Sequence, residues 1–283
     1  MAPSSPVTPE TSVDLPYWDG YLRQLEADEV PYDYQVLHSH VGCWDDPTWS
    51  NRVPNDYAKA AERMCQLVCT AGGVEANQRL LDVGCGLGTV LASINARVSP
   101  IDLVGVNIDD RQLDIARGGV KPREGNTVAF IASDACDMPL DDGSFDVLLA
   151  LECTFHFPSR EGFLRETRRV LKPGGRFALC EHFADEATVP HSEVPRRSAI
   201  WGSFIEPCKI SRYDQLAAAA GFRRVFEQDV TRQTIPTYPG IRKLLRRGLP
   251  FPRNWQAVAM LWFTEFLMRR GSLRYMILAY EAV

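Results

Sequence analysis

The run Leu80-Leu81-Asp82-Val83-Gly84-Cys85-Gly86-Leu87-Gly88-Thr89 decides the fold of this 283-residue chain. Leu80, Leu81 and Val83 supply a short apolar strand, and the glycines at 84, 86 and 88 let the backbone turn tightly beneath a ligand that a Cβ would push away. A helix can begin at about Thr89. Dinucleotide loops spaced G-x-G-x-x-G carry their third glycine one position later, which is Thr89 here, so the loop points to a nucleoside-type cofactor of another kind.

Working outward, the next apolar run, Leu103 to Ile108, lies one helix further on and ends in the polar candidates Asn107, Asp109 and Gln112, where a second parallel strand would hold a ribose. Val128 to Ala132 reads as a third strand followed by Ser133-Asp134-Ala135, and Phe145 to Leu151 as a fourth, with Asp146 as a structural residue. Polar residues thus recur at strand ends, the ligand-binding edge of an open parallel sheet. Gly174 and Gly175 make the turn into strand five, Ser159 caps the helix through Val170, and Ser211 with Asp214 approximates a capping box for a helix stopped at Gly221. Phe222 to Val230 reads as strand six and Leu273 to Ala279 as strand seven.

Residues 55 to 230 resemble the class I S-adenosylmethionine-dependent methyltransferases. The most specific segment, Ala150 to Phe183, contains an E-x-x-x-H-x-P pattern, a helix and a VLKPGG turn, and is similar to enzymes that act on sterols, tocopherols, sugars and other natural products. The resemblance implies a Rossmann-like α/β fold: a seven-stranded, mostly parallel sheet of order 3-2-1-4-5-7-6, with helices on both faces and the last strand inserted antiparallel. It also implies that Gly84, Gly86 and Gly88 line the amino-acid and ribose portion of the cofactor. Asn107 and Gln112 would face the ribose hydroxyls, Asp134 the adenine amino group and Ala135 the adenine edge, with Asp82, Cys85, Ser133 and Glu152 completing the set. Many relatives carry Asp or Glu where this chain has Asn107, but an amide also bonds a hydroxyl.

The same resemblance makes His156, at the mouth of strand four, the base that takes the acceptor's proton, with Glu181 at the end of strand five orienting the imidazole. Some relatives have His-His where this chain has Phe155-His156. The expected reaction is methyl transfer to a natural-product hydroxyl, yielding S-adenosylhomocysteine. Two alternatives stay open. One is C-methylation of a sterol-like or isoprenoid alkene, using Glu152, Glu181, Phe155, Trp201 and Tyr238 around a carbocation. The other is a cyclase that binds the cofactor without methylating.

The chain divides into three parts. Residues 1–14 read as a disordered Pro, Ser and Thr-rich tail without a secretory h-region, which places the protein in the cytoplasm. Residues 15–54 form an aromatic cap that contains Tyr34 and the HVGCW element from His40 to Trp44, resembling a segment that folds over the cofactor. The methyltransferase domain spans 55–283, with insertions at 184–210, holding Trp201 and Phe204, and at 231–272, holding Tyr238. Together Tyr34, His40, Trp44, Phe155, Trp201, Phe204 and Tyr238 form the expected acceptor pocket. The stretch Trp255 to Met268 is too short to span a bilayer and reads as a buried helix. Arg242-Lys243-Leu244-Leu245-Arg246-Arg247 reads either as a solvated helix face or as a phosphate site.

A net charge of −5 argues against a nucleic-acid substrate and favours a small-molecule acceptor. Eight cysteines scattered through predicted strands and helices read as free thiols, with Cys65 and Cys69 at helical spacing as packing residues and no metal expected. No membrane partner is expected, and the apolar second insertion leaves room for a homodimer.

Overall fold

The computed structural model of the protein describes Asp19 and residues 40–46, 55–187, 196–198, 202–204, 206–248 and 253–283. The expectations for the tail 1–14, Tyr34 and Trp201 lie outside the described residues, as do those for the side chains of Phe204, Lys243 and Arg246.

Helix α1 (Asn55–Gly72) precedes β1 (Arg79–Val83), and the glycine loop delivers the chain to α2 (Thr89–Arg97). Then follow β2 (Asp102–Asn107), α3 (Asp110–Gly119), β3 (Thr127–Ala132) and β4 (Phe145–Leu151). A single 3-10 turn, Thr154–His156, leads to α4 (Arg160–Val170) and the long β5 (Leu171–Ala184). A small hairpin of β6 (Arg196–Ser198) and β7 (Gly202–Phe204) comes before α5 (Ile210–Ala219) and β8 (Phe222–Asp229). The chain closes with α6 (Thr231–Thr234), α7 (Thr237–Gly248), α8 (Arg253–Arg269) and β9 (Leu273–Ala282).

The main sheet has the order β3-β2-β1-β4-β5-β9-β8, the expected topology once the two hairpin strands are set aside. Strands β1 to β5 are mutually parallel, and β9 runs antiparallel between β5 and β8. Strand alternation sorts the core onto two faces. Leu80, Leu103 and Leu149 pack with Met64 and Val68 of α1 and Leu91 and Ile94 of α2. Leu81, Val83, Leu148 and Phe177 pack with Phe163 of α4 and Leu216 of α5 on the other side. All eight cysteines are free.

Punctuation follows the sequence in part. Ser159 caps α4, accepting from the Gly162 N–H at 3.0 Å. Asp146 is structural, accepting from the Arg79 N–H at 2.8 Å and from Lys172 at 2.7 Å. The expected capping box at Ser211 does not form. Its N–H and hydroxyl both donate to Glu186, at 2.9 and 2.8 Å, while Asp214 accepts from the Tyr280 hydroxyl at 3.0 Å. A distant carboxylate thus outcompetes the local cap. Gly174 and Gly175 lie in a bulge: β5 pairs with β4 first at Leu171 and resumes at Arg176.

Two readings of the second insertion need correction. The stretch from Trp255 is helical but not buried, since Trp255, Trp262, Phe263 and Phe266 are exposed on α8. Arg242 is neither a solvated face residue nor free for a phosphate, because it is buried and ion-paired with Glu265. The helix it sits on packs against α8, which brings the two side chains together.

Phe177 is fully buried, 6.0 Å from Tyr280 in a stacked arrangement and 5.5 Å edge-on from Phe163. Phe177→Ala is expected to lower unfolding free energy by about 3–5 kcal/mol. Urea denaturation should show a reduced midpoint with an unchanged m-value.

Candidate active site

Strand β1 ends against a loop that the neighbouring strand holds shut. The N–H groups of Gly84 and Cys85 both donate to the Val106 carbonyl of β2, at 2.8 and 3.0 Å, and Gly88 N–H returns to the Cys85 carbonyl at 2.8 Å. Gly84, Gly86 and Gly88 have φ of 71°, 53° and 74°, a region that side chains disfavour. A Cβ on Gly84 would sit 2.7 Å from Cys153, and one on Gly88 2.9 Å from Phe130. Packing therefore demands glycine here as much as a ligand does.

The ends of β2 and β3 lie beside this loop. Asn107 donates to Gln112 at 3.3 Å, and its carbonyl accepts the Ser133 N–H at 3.0 Å, which ties the two strand ends together. The half-buried Asp134 accepts from the Cys136 N–H at 2.8 Å, so one carboxylate oxygen closes a local turn ahead of the buried Ala135. The Ser133 hydroxyl donates to the Asp137 carbonyl at 2.8 Å.

At the end of β4 the backbone is strained. Glu152 has φ of 51°, a left-handed conformation that costs a non-glycine residue of order 1–3 kcal/mol and that clusters at functional sites. The turn that follows carries Phe155 and His156 with ring centroids 4.1 Å apart, both half-buried. Buried Glu181, at the end of β5, accepts a short hydrogen bond from the Thr154 hydroxyl in the same turn. Glu181 is thus bonded, through Thr154, to the turn that carries His156. Strand β7 approaches this turn, which sets part of the first insertion over it.

His40 to Trp44 forms a strap across the site. Val41 N–H donates to Glu152 at 2.6 Å, and the Trp44 indole N–H donates to Thr237 Oγ1 at 2.8 Å. The Tyr57 hydroxyl donates to the His40 carbonyl at 2.9 Å, Cys43 N–H to Ala60 at 2.8 Å, and Trp44 N–H to Gln233 at 2.9 Å. His40 and Trp44 are buried in consequence.

Behind the strap lies a polar cluster that sequence reasoning missed apart from Glu152 and Tyr238. The Tyr275 hydroxyl donates to Glu152 at 3.2 Å, His182 Nε2 lies 2.6 Å from the Tyr238 hydroxyl, and the His182 and Tyr275 rings meet edge-on at 4.8 Å. His182 and Tyr275 are cross-strand partners in β5 and β9, so only the pairing register could have shown their meeting. Thr154 and Thr237 carried no signal at all, being single hydroxyls in unremarkable contexts.

Burial dominates the electrostatics. It pushes the Asp82 carboxyl up to about 8 and those of Glu152 and Glu181 up to about 7, while it pushes His182 down to about 4. The buried Cys85 thiol also lies well above its ordinary value, chiefly through burial. Asp82 Oδ2 has no hydrogen-bond partner among the described residues. No cluster of three His, Cys, Asp or Glu among the described residues is arranged to hold a metal.

Comparison with known proteins agrees with this geometry. Residues 81–179 match a family described as methyltransferase domain. The chain is 34% identical to methyltransferase GfsG of Streptomyces halstedii over 236 residues, covering 79% of this chain and 81% of that one. It is 29% identical to the 27-O-demethylrifamycin SV methyltransferase of Amycolatopsis mediterranei, covering 70% and 71%. With the sterol 24-C-methyltransferase of Schizosaccharomyces pombe the identity is 32%, over 59% of this chain and 45% of that one. Among solved structures, the cyclase SpnF superposes with a TM-score of 0.73 at 24% identity, covering 95% and 97%. The geranyl diphosphate C-methyltransferase of Streptomyces coelicolor A3(2) superposes with a TM-score of 0.69 at 18% identity, covering 99% and 100%.

The three raised carboxyls have a consequence for stability. In the unfolded chain Asp82, Glu152 and Glu181 ionise near 3.8 and 4.5, whereas in the fold they keep their protons up to about 7 or 8. Their contribution is fully present below about pH 4 and is lost as the pH rises through the folded values. The thermal midpoint of the ligand-free protein should therefore fall as the pH rises from about 4.5 to about 8, the window these shifts define, and Asp82→Asn should flatten that slope. Differential scanning calorimetry across the range measures both.

Proposed function

The chain belongs to the class I S-adenosylmethionine-dependent methyltransferases that act on small molecules, and from that premise we propose that its acceptor is a natural-product hydroxyl deprotonated by His156. The observation that carries the proposal is the turn Thr154–His156, which bonds buried Glu181 through the Thr154 hydroxyl and carries the His156 imidazole two residues on, at the ligand-binding edge of the sheet. The rifamycin O-methyltransferase among the relatives supports the same acceptor chemistry and a setting in specialised metabolism. The net charge of −5 supports an acceptor other than nucleic acid. A cytoplasmic location belongs to the same proposal.

The residues present suit the cofactor. Asp82 holds a buried, unpartnered carboxylate oxygen two residues before the loop, and a cationic ligand would satisfy it. Gly84 to Gly88 would lie beneath the amino-acid and ribose portion at the N-terminus of α2, where a carboxylate is favoured. Asn107 and Gln112 would meet the ribose hydroxyls. Asp134, whose other oxygen closes its own turn, would meet the adenine amino group, with Ser133 and Ala135 alongside. When bound, S-adenosylmethionine supplies a methyl group already activated on a sulfonium and leaves as S-adenosylhomocysteine.

The chain's own work is alignment, water exclusion and one proton transfer. His156 takes the hydroxyl proton on a ring nitrogen, and Glu181 of β5, bonded to Thr154 of the same turn, would stabilise the charged ring. Glu152 fastens the strap through Val41, so His40 and Trp44 would close over the reacting groups and keep water out. Phe155, Phe204 and Trp201 would shape the acceptor pocket from the turn and the first insertion, with Tyr34 and Tyr238 from the cap and second insertion.

A second reading, C-methylation, is favoured by two buried carboxyls at one strand-end cluster, either of which could receive a proton from a carbocation. The sterol 24-C-methyltransferases among the relatives methylate carbon by their names.

His156→Gln is expected to reduce turnover by about 10²–10⁴-fold while leaving cofactor affinity unchanged by calorimetry. With carbon-13-labelled methyl donor and a panel of hydroxylated natural products, NMR should show a new O–CH3 signal. A C–CH3 signal would assign the second reading, and normal turnover in the variant would remove His156 as base.

A further inference from the structure

The geometry points to a peripheral membrane-docking face on the hairpin of α7 and α8, one that recognises surfaces rich in anionic lipid. Trp255, Ala259, Trp262, Phe263 and Phe266 recur at helical spacing along α8 and occupy an arc of roughly 100°. The four aromatic side chains are 60%, 54%, 62% and 50% exposed, in sequence order. The opposite face, Ala257, Val258, Leu261, Glu265 and Met268, is buried against the protein. The stripe offers roughly 400–500 Å² of aromatic surface, at the large end of what a monomer leaves to water.

Charge says what covers it. Residues 237–272 hold seven Lys and Arg (Arg242, Lys243, Arg246, Arg247, Arg253, Arg269 and Arg270) against one acidic residue, Glu265, in a chain whose net charge is −5. That single carboxylate is buried and consumed by Arg242 and by Arg269, the latter at 2.7 Å. Arg242 also lies 3.9 Å from the centroid of the Trp262 ring, which fixes the orientation of the indole, and Arg269 and Arg270 end the stripe. Exposed Trp and Phe in a segment with seven basic residues to one acidic is the composition of an interfacial helix, with rings at headgroup depth and cations on anionic lipid. A second copy of the chain fits worse, because a two-fold contact would set one strongly cationic hairpin against another. No helix among the described residues is long and apolar enough to cross a bilayer, so the contact is peripheral.

Flotation of the full-length protein with vesicles tests this without any acceptor or turnover, so its outcome is separable from that of the methyltransferase assay. Vesicles of equal phosphatidylcholine and phosphatidylglycerol should carry the protein upward, and phosphatidylcholine alone should not. Molar salt should release it. The double variant Trp255→Ser, Phe263→Ser changes only exposed positions and should lose at least tenfold in partitioning while keeping its thermal midpoint and cofactor affinity. Absence of flotation on anionic vesicles, equal flotation on neutral ones, or full partitioning of the double variant would each overturn the proposal. So would light scattering showing a dimer in the parent protein that the double variant dissolves, which would identify a second copy as the occupant.

Discussion

The structure depends on one tight turn. The Val106 carbonyl of β2 receives two consecutive N–H groups from the loop after β1, and the chain can satisfy it only by bending through residues of positive φ. Glycine removes the conformational penalty and also leaves room for Cys153 and Phe130, which occupy the space a Cβ would need. Once the loop is set, β1, β2 and β4 are aligned at one edge, and the residues that follow each strand face a common space. The same loop also delivers the N-terminus of α2 to that space, so fold and cofactor preference share one cause.

Burial then sets the chemistry. Asp82, Glu152 and Glu181 stand where the ionised form is disfavoured, and the strain at Glu152 is offset by a hydrogen-bonded strap across its carboxylate. Carboxyls whose protonated form is favoured when empty and that ionise beside a cation suit a ligand with a sulfonium and an ammonium group. The strap links this electrostatics to access: Val41, Trp44 and Thr237 join the N-terminal segment, the strand-four carboxylate and the second insertion in one connected set.

Much of the core was legible because its signals are local. The glycine spacing, the apolar runs of β1 to β4, Ser159 and the VLKPGG turn need no knowledge of distant contacts, and the sheet order followed from the family resemblance. Residues whose meaning lies in partners far along the chain were not legible. Ser211 gives its hydroxyl to Glu186, His182 meets Tyr238 and Tyr275, and Arg242 folds onto Glu265, each through pairings no periodicity encodes. The apolar helix α8 shows a related limit. Composition gave its helicity, but which of its faces the protein covers depends on what packs beside it, and four aromatic side chains remain in water.

The most direct measurement is calorimetric titration of the purified protein with S-adenosylmethionine near pH 7, repeated in two buffers of different ionisation enthalpy. The difference in heat counts protons exchanged on binding. The account predicts binding accompanied by net proton release, because a cation entering beside carboxyls held near 7 and 8 drives them to ionise. Binding with no proton release, or no binding at all, would contradict it.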